Sequence, residues 1–133
     1  MTVSVSQAKN AGRVDPKVTS QVTARFKRVK ENEGMLGVSG DVRRCYAAAD
    51  RQIDATRFCM LYDIAQARYD RVVTKMFRSM GWENPSMDNE FLSDRPFGLR
   101  MKTYSGIAFG GSKEAAYRFF GDAPNRIVRA LTE

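Results

Sequence analysis

The sequence predicts an all-α fold: a single domain of five to six helices around a central helical hairpin, with no substantial sheet. Three observations carry this. Apolar residues recur at three- and four-residue spacing along several stretches, the period of a helix with one buried face. No stretch sustains the one-in-two alternation of a half-buried strand. Residues 41–80 contain neither glycine nor proline. A chain of 133 residues, 43% apolar and 28% charged, is large enough to bury one core without a metal or a dense disulfide framework.

Residues 1–14 are polar and free of acidic side chains, and they are expected to form a mobile tail ahead of a helical domain over 15–133. They lack the apolar core and cleavage site of a signal peptide. The expectation is a chain numbered from a trimmed or mature end.

Asp15-Pro16 has the order of an N-cap followed by a first-turn proline. Val18, Val22, Phe26 and Val29 then make one helical stripe, and Gly34 is expected to close it. Residues 35–40 (MLGVSG) read as a connection, with Ser39 or Asp41 capping the next helix. Val42, Cys45, Tyr46, Ala49 and Ile53 follow helical spacing. The longest run covers about residues 55–80, from Phe58 through Tyr62, Tyr69, Val72 and Met76 to Met80, and ends at Gly81. Its apolar residues read as core.

Residues 83–95 read as a loop with one helical turn. Asp94 and Pro96 open a further helix carrying Phe97, Met101 and Tyr104. The run Gly106 to Lys113 has the glycines of a phosphate-binding loop, but Ser112 precedes the lysine and no strand leads in. It is expected to be an interhelix turn with Ser112 as cap. Ala115, Ala116, Phe119 and Phe120 follow, Gly121 is expected to stop that helix, and Asp122 to cap a last one bearing Ile127, Val128 and Leu131.

Two arrangements are open for residues 41–80. A single rod of about 40 residues would hold Cys45 and Cys59 about 21 Å apart, at 1.5 Å per residue. A hairpin turning within residues 50–54 would bring them level, because each lies seven residues from Gln52. That equal distance favours the hairpin, with a disulfide between the only two cysteines.

The chain has no histidine, which removes Ser-His-Asp catalysis and most zinc sites. No apolar run approaches the roughly 18 residues of a membrane span. Lys and Arg total 22 against 15 Asp and Glu, a net charge of +7 that falls entirely within the first 80 residues. Along the 55–80 helix, Arg57, Arg68, Arg71, Lys75 and Arg78 form a basic border about 120° from the apolar centre, at 100° per residue. With Arg25 and Arg28 on the first helix they make the candidate binding face, suited to an anionic ligand, nucleic acid or an acidic partner. Asp63 and Asp70 lie on the opposite border. As paired carboxylates they are a minor candidate for acid–base chemistry, and cross-hairpin ion pairs with Arg43 or Arg44 are the more ordinary role. Tyr46, Tyr62, Tyr69, Tyr104, Phe26, Phe58 and Phe77 fall on core faces rather than forming base-stacking platforms.

Arg44-Cys45-Tyr46-Ala47-Ala48, followed by Cys59, Asp63 and Asp70, resembles small exported bacterial helical domains with a Cys-paired hairpin, of which the LprI type, associated with lysozyme inhibition, is an example. The resemblance covers about a quarter of the chain and implies a periplasmic binding or inhibitory module. The functional expectation is therefore a non-enzymatic, periplasmic or secreted module that binds a protein or envelope component, with no cofactor and no metal. The alternative is a basic cytoplasmic module that binds nucleic acid.

Overall fold

The computed structural model describes residues 14–83 and 89–132. The expected tail over residues 1–13, and Pro85, Ser86 and Met87 of the expected loop, lie outside the described residues. Four α-helices occur among the described residues: α1 (Pro16–Ala49), α2 (Ile53–Ser79), α3 (Asp94–Phe109) and α4 (Lys113–Thr132), with a 3-10 turn at Glu90–Leu92 ahead of α3. The all-α expectation holds, with four helices in place of five or six.

α1 opens as its sequence indicates. The Asp15 carboxylate accepts from the Lys17 N–H at 2.8 Å, and Pro16 occupies the first turn. Val14, assigned to the tail from sequence, is buried, and its N–H donates to Asp122 of α4 at 3.2 Å. Inside α1, Gly34 takes φ 72° and ψ −174°, a backbone region essentially restricted to glycine. There the helix folds back. A straight helix would separate Arg25 and Asp41 by about 24 Å, whereas their side chains are 2.8 Å apart. The two arms of α1 thus run antiparallel. Residues 35–40, expected to be a connection, are helical and begin the second arm. Gly37 is required there for space, because a Cβ on it would collide with the Glu33 Cβ.

The second arm and α2 form the central hairpin. Asp50 and Arg51 both take left-handed backbone angles, and Gln52 caps α2 by accepting from the Ala55 N–H at 2.8 Å. Asp54 sits in the first turn, where its charge complements the helix dipole. Cys45 and Cys59 are bonded, with a Cα separation of 5.6 Å. α2 ends in a Schellman motif: the Trp82 N–H donates to Phe77 C=O and the Gly81 N–H to Arg78 C=O, while the Phe77 and Trp82 rings meet at 6.1 Å.

α3 runs through Gly106 and ends at Phe109. The turn to α4 lies at Gly110 and Gly111, both with positive φ, and the Ser112 hydroxyl accepts from the Ala115 N–H at 3.2 Å. α4 continues through Gly121, Asp122 and Pro124, where a break was expected. Pro124 removes one backbone rung, but Ala115, Phe119, Ala123 and Ile127 form an unbroken buried stripe on both sides of it. Burial of that stripe outweighs the local breakers.

The core lies where both arms of α1 meet α2, and α3 and α4 close it. Val22, Phe26, Val38, Val42, Met60, Leu61, Tyr62, Ala65 and Ile127 are all sealed from solvent. Each large apolar side chain buried in this way contributes about 1.5–3 kcal/mol.

Candidate binding surface

Two buried polar clusters brace the hairpin, and each is an aspartate held by an arginine and a tyrosine. In the first, Asp63 of α2 is 0% exposed. Arg100 of α3 grips it with Nε and Nη2 at 2.8 and 2.9 Å, the Tyr46 hydroxyl donates at 2.8 Å, and Gln66 Nε2 donates at 2.9 Å. Ser39 donates to Gln66 Oε1 at 2.8 Å and accepts from Asn89 Nδ2 at 2.9 Å, extending the network to the segment before α3. In the second, Asp41 of α1 accepts from Arg25 Nε and Nη2 at 2.8 and 3.0 Å and from the Tyr62 hydroxyl at 2.8 Å. Tyr46 thus reaches from α1 to an aspartate on α2, and Tyr62 reaches from α2 to an aspartate on α1.

The electrostatics follow from this packing. Hydrogen bonding from Arg25 holds the Asp41 carboxyl below the usual carboxylate range, and Asp41 in turn raises the Arg25 guanidinium. Burial pushes the Tyr46 and Tyr62 hydroxyls well above the ordinary tyrosine value, with the facing carboxylates adding to it. Aromatic rings complete the clamps. The Arg100 guanidinium lies 3.5 Å from the Phe91 ring centroid, Arg43 lies 4.3 Å from the same ring, and Tyr46 stacks on Tyr104 at 3.9 Å.

These clusters brace the fold and leave little scope for acid–base work. Four donors fill the Asp63 carboxylate, about the number it can accept, and seal it from substrate. Its arginine comes from α3; neither Arg43 nor Arg44, the partners expected from sequence, supplies it. Among the described residues, no group of three or more His, Cys, Asp or Glu is placed to hold a metal ion.

The basic residues singled out from sequence divide in three. Arg25 is engaged with Asp41. Arg57 donates to the Ala108 carbonyl at 3.0 Å, in the last turn of α3, and lies over the Phe109 ring. Both therefore act inside the fold. Arg28 is exposed on the first arm of α1 and lines neither the groove between α2, α3 and α4 nor the one over the disulfide. Arg68, Arg71, Lys75 and Arg78 come together along one wall of a groove of about 690 Å³ between α2, α3 and α4. Its apolar lining includes Ile64, Leu92, Phe97 and Phe120. Asp70 and Asp94 also line it, and Arg71 pairs with Asp94 at 3.5 Å.

Beside the basic row runs an apolar stripe that sequence reasoning assigned to the core. Val72, Met76 and Met80 are 56%, 51% and 46% exposed, and Trp82 is 61% exposed. Val72 and Met76 lie on the far half of α2, beyond its last fully buried residue, Gln66, and Met80 and Trp82 follow at its C-terminal end. The far walls of the groove, Phe97, Phe120 and Pro124, come from the C-terminal third, which carried no functional signal in the sequence. A second groove of about 640 Å³, lined by Val18, Ala48 and Phe58, opens over the disulfide.

Compared with protein-family models, curated proteins and solved structures, the chain gives no significant match in any of the three. No helix among the described residues is long and apolar enough to cross a membrane.

Proposed function

We propose that this protein is a non-enzymatic, exported helical module that binds a protein or envelope component through the far half of α2. The observation that carries the reading is the contrast along that one helix. Its first half is fixed by the disulfide and two saturated Arg-Asp-Tyr clusters. Its second half presents four cations beside an exposed apolar stripe. A rigid scaffold that displays a mixed apolar and charged face has the composition of a recognition surface. The bonded cysteine pair fits an oxidising compartment such as the periplasm. The LprI-type resemblance supports the same class of function.

The nucleic-acid alternative needs Arg25, Arg28, Arg68 and Arg71 to act as one face. Engagement of Arg25 with Asp41 speaks against it.

The test is capture from solubilised envelope of the source cell by the immobilised protein and by a Val72→Asp/Met76→Asp variant. Both positions are exposed, so the variant should retain the wild-type circular dichroism and melting temperature. The reading expects a discrete envelope component that the wild type retains and the variant loses. Equal capture by both proteins would refute binding through this surface.

A further inference from the structure

We propose that the groove between α2, α3 and α4 seats an acidic, amphipathic segment of a partner protein; this rests on the binding-module reading above. The groove pairs two chemistries in one concavity. Ile64, Leu92, Phe97 and Phe120 give it apolar lining, and Arg68, Arg71, Lys75 and Arg78 give it a cationic wall. From Arg68 to Arg78 the wall extends about 15 Å along the helix axis. About ten helical residues of a partner cover that length, so one side of such a segment can enter while its carboxylates meet the wall. Three of the four cations are arginines, whose planar fork suits carboxylates.

The charge balance supports an acidic occupant. Among the described residues, the acidic lining of the groove is Asp70 and Asp94, and Asp94 already faces Arg71. Among the described lining residues, four cations over two carboxylates leave a net positive concavity. Shape favours a polypeptide over an anionic bilayer. These charges line a recess between three helices, and a flat headgroup layer does not enter a recess that a single chain segment can fill.

The experiment is fluorescence anisotropy on the full chain. The probe is a labelled helical peptide of about four turns, with leucines along one edge and glutamates along the other. A peptide of the same composition in scrambled order, and phosphatidylglycerol vesicles, serve as comparisons. We expect the amphipathic peptide to bind more tightly than the scrambled one. Lys75→Glu/Arg78→Glu should weaken it by about tenfold or more, with a steep salt dependence. Lys27→Glu/Arg28→Glu makes the same change in net charge away from the groove and should alter binding by less than about twofold. Equal binding of the scrambled peptide, equal loss in both charge-reversed variants, or binding to vesicles but not to the peptide would overturn the proposal. Envelope capture that depends on Val72 and Met76 but survives Lys75→Glu/Arg78→Glu would overturn the acidic segment alone and leave the binding-module reading standing.

Discussion

Replacing Arg100 with methionine removes the cation that faces a carboxylate with no access to solvent. Asp63 would keep its bonds from Tyr46 and Gln66 and lose the two charged ones at 2.8 and 2.9 Å. Methionine fills much of the volume, so the cost is chiefly that of an unpaired buried charge, about 3–5 kcal/mol. The lost stacking of the guanidinium on Phe91 acts in the same direction. Against a total stability of about 5–15 kcal/mol, this is a large fraction. At about 3–4 °C per kcal/mol for a domain of this size, the melting temperature should fall by about 10–20 °C. Urea unfolding followed by circular dichroism gives the free energy directly, with the denaturant slope unchanged if only stability moves. Asp63→Asn/Arg100→Met removes both charges and should recover at least about 1 kcal/mol of the loss, because interacting residues are not additive. A loss below about 1 kcal/mol for Arg100→Met, the scale of a surface pair, would show that the Asp63–Arg100 pair is not a buried brace. Strict additivity in the double variant would show the same.

The remaining predictions concern the fold-back, the disulfide and the two titrating clusters. Gly34→Ala should cost about 1–3 kcal/mol, because φ 72° with ψ −174° excludes a Cβ on backbone grounds alone; thermal melts check this. Reducing the Cys45–Cys59 bond, which closes a loop with a sequence separation of 14, should cost about 3 kcal/mol in the chain-entropy model, and melts with and without a reductant measure it. Asp41 has a lowered carboxyl pKa in the folded state, so its contribution is present above the ordinary value of 3.8 and is lost as pH falls below it. Asp41→Asn should therefore flatten the acid limb of stability against pH. Tyr46 and Tyr62 are raised in the folded state, so folding stability falls as pH rises above about 10. Ultraviolet titration should show two of the five tyrosines ionising only as the protein unfolds, and Tyr46→Phe/Tyr62→Phe should remove that late step.

The parts of the fold written in local periodicity were legible before any coordinates. The stripe of Val18, Val22, Phe26 and Val29, the equal spacing of Cys45 and Cys59 about Gln52, and the ends at Gly81 and Ser112 depend on neighbours close in sequence. The rest depends on distant partners. Arg100 and Asp63 are 37 residues apart, and no spacing rule links them. The helical state of residues 35–40 is secured partly by Ser39 bonding to Gln66 across the hairpin. Gly121 and Pro124 are local breakers, overruled by a stripe buried against other helices. The same limit explains the binding surface. The basic row on α2 showed in the sequence because it is periodic. Val72, Met76 and Met80 are periodic too, and only tertiary packing reveals that no helix among the described residues covers them.

The most direct test of the stapled hairpin is a thiol count on the protein isolated from its own cells, alkylated under denaturing, non-reducing conditions and weighed intact. Neither Cys45 nor Cys59 should take up the label until reductant is added. Two labelled cysteines before reduction would contradict both the stapled hairpin in its native setting and the export on which the proposed function relies.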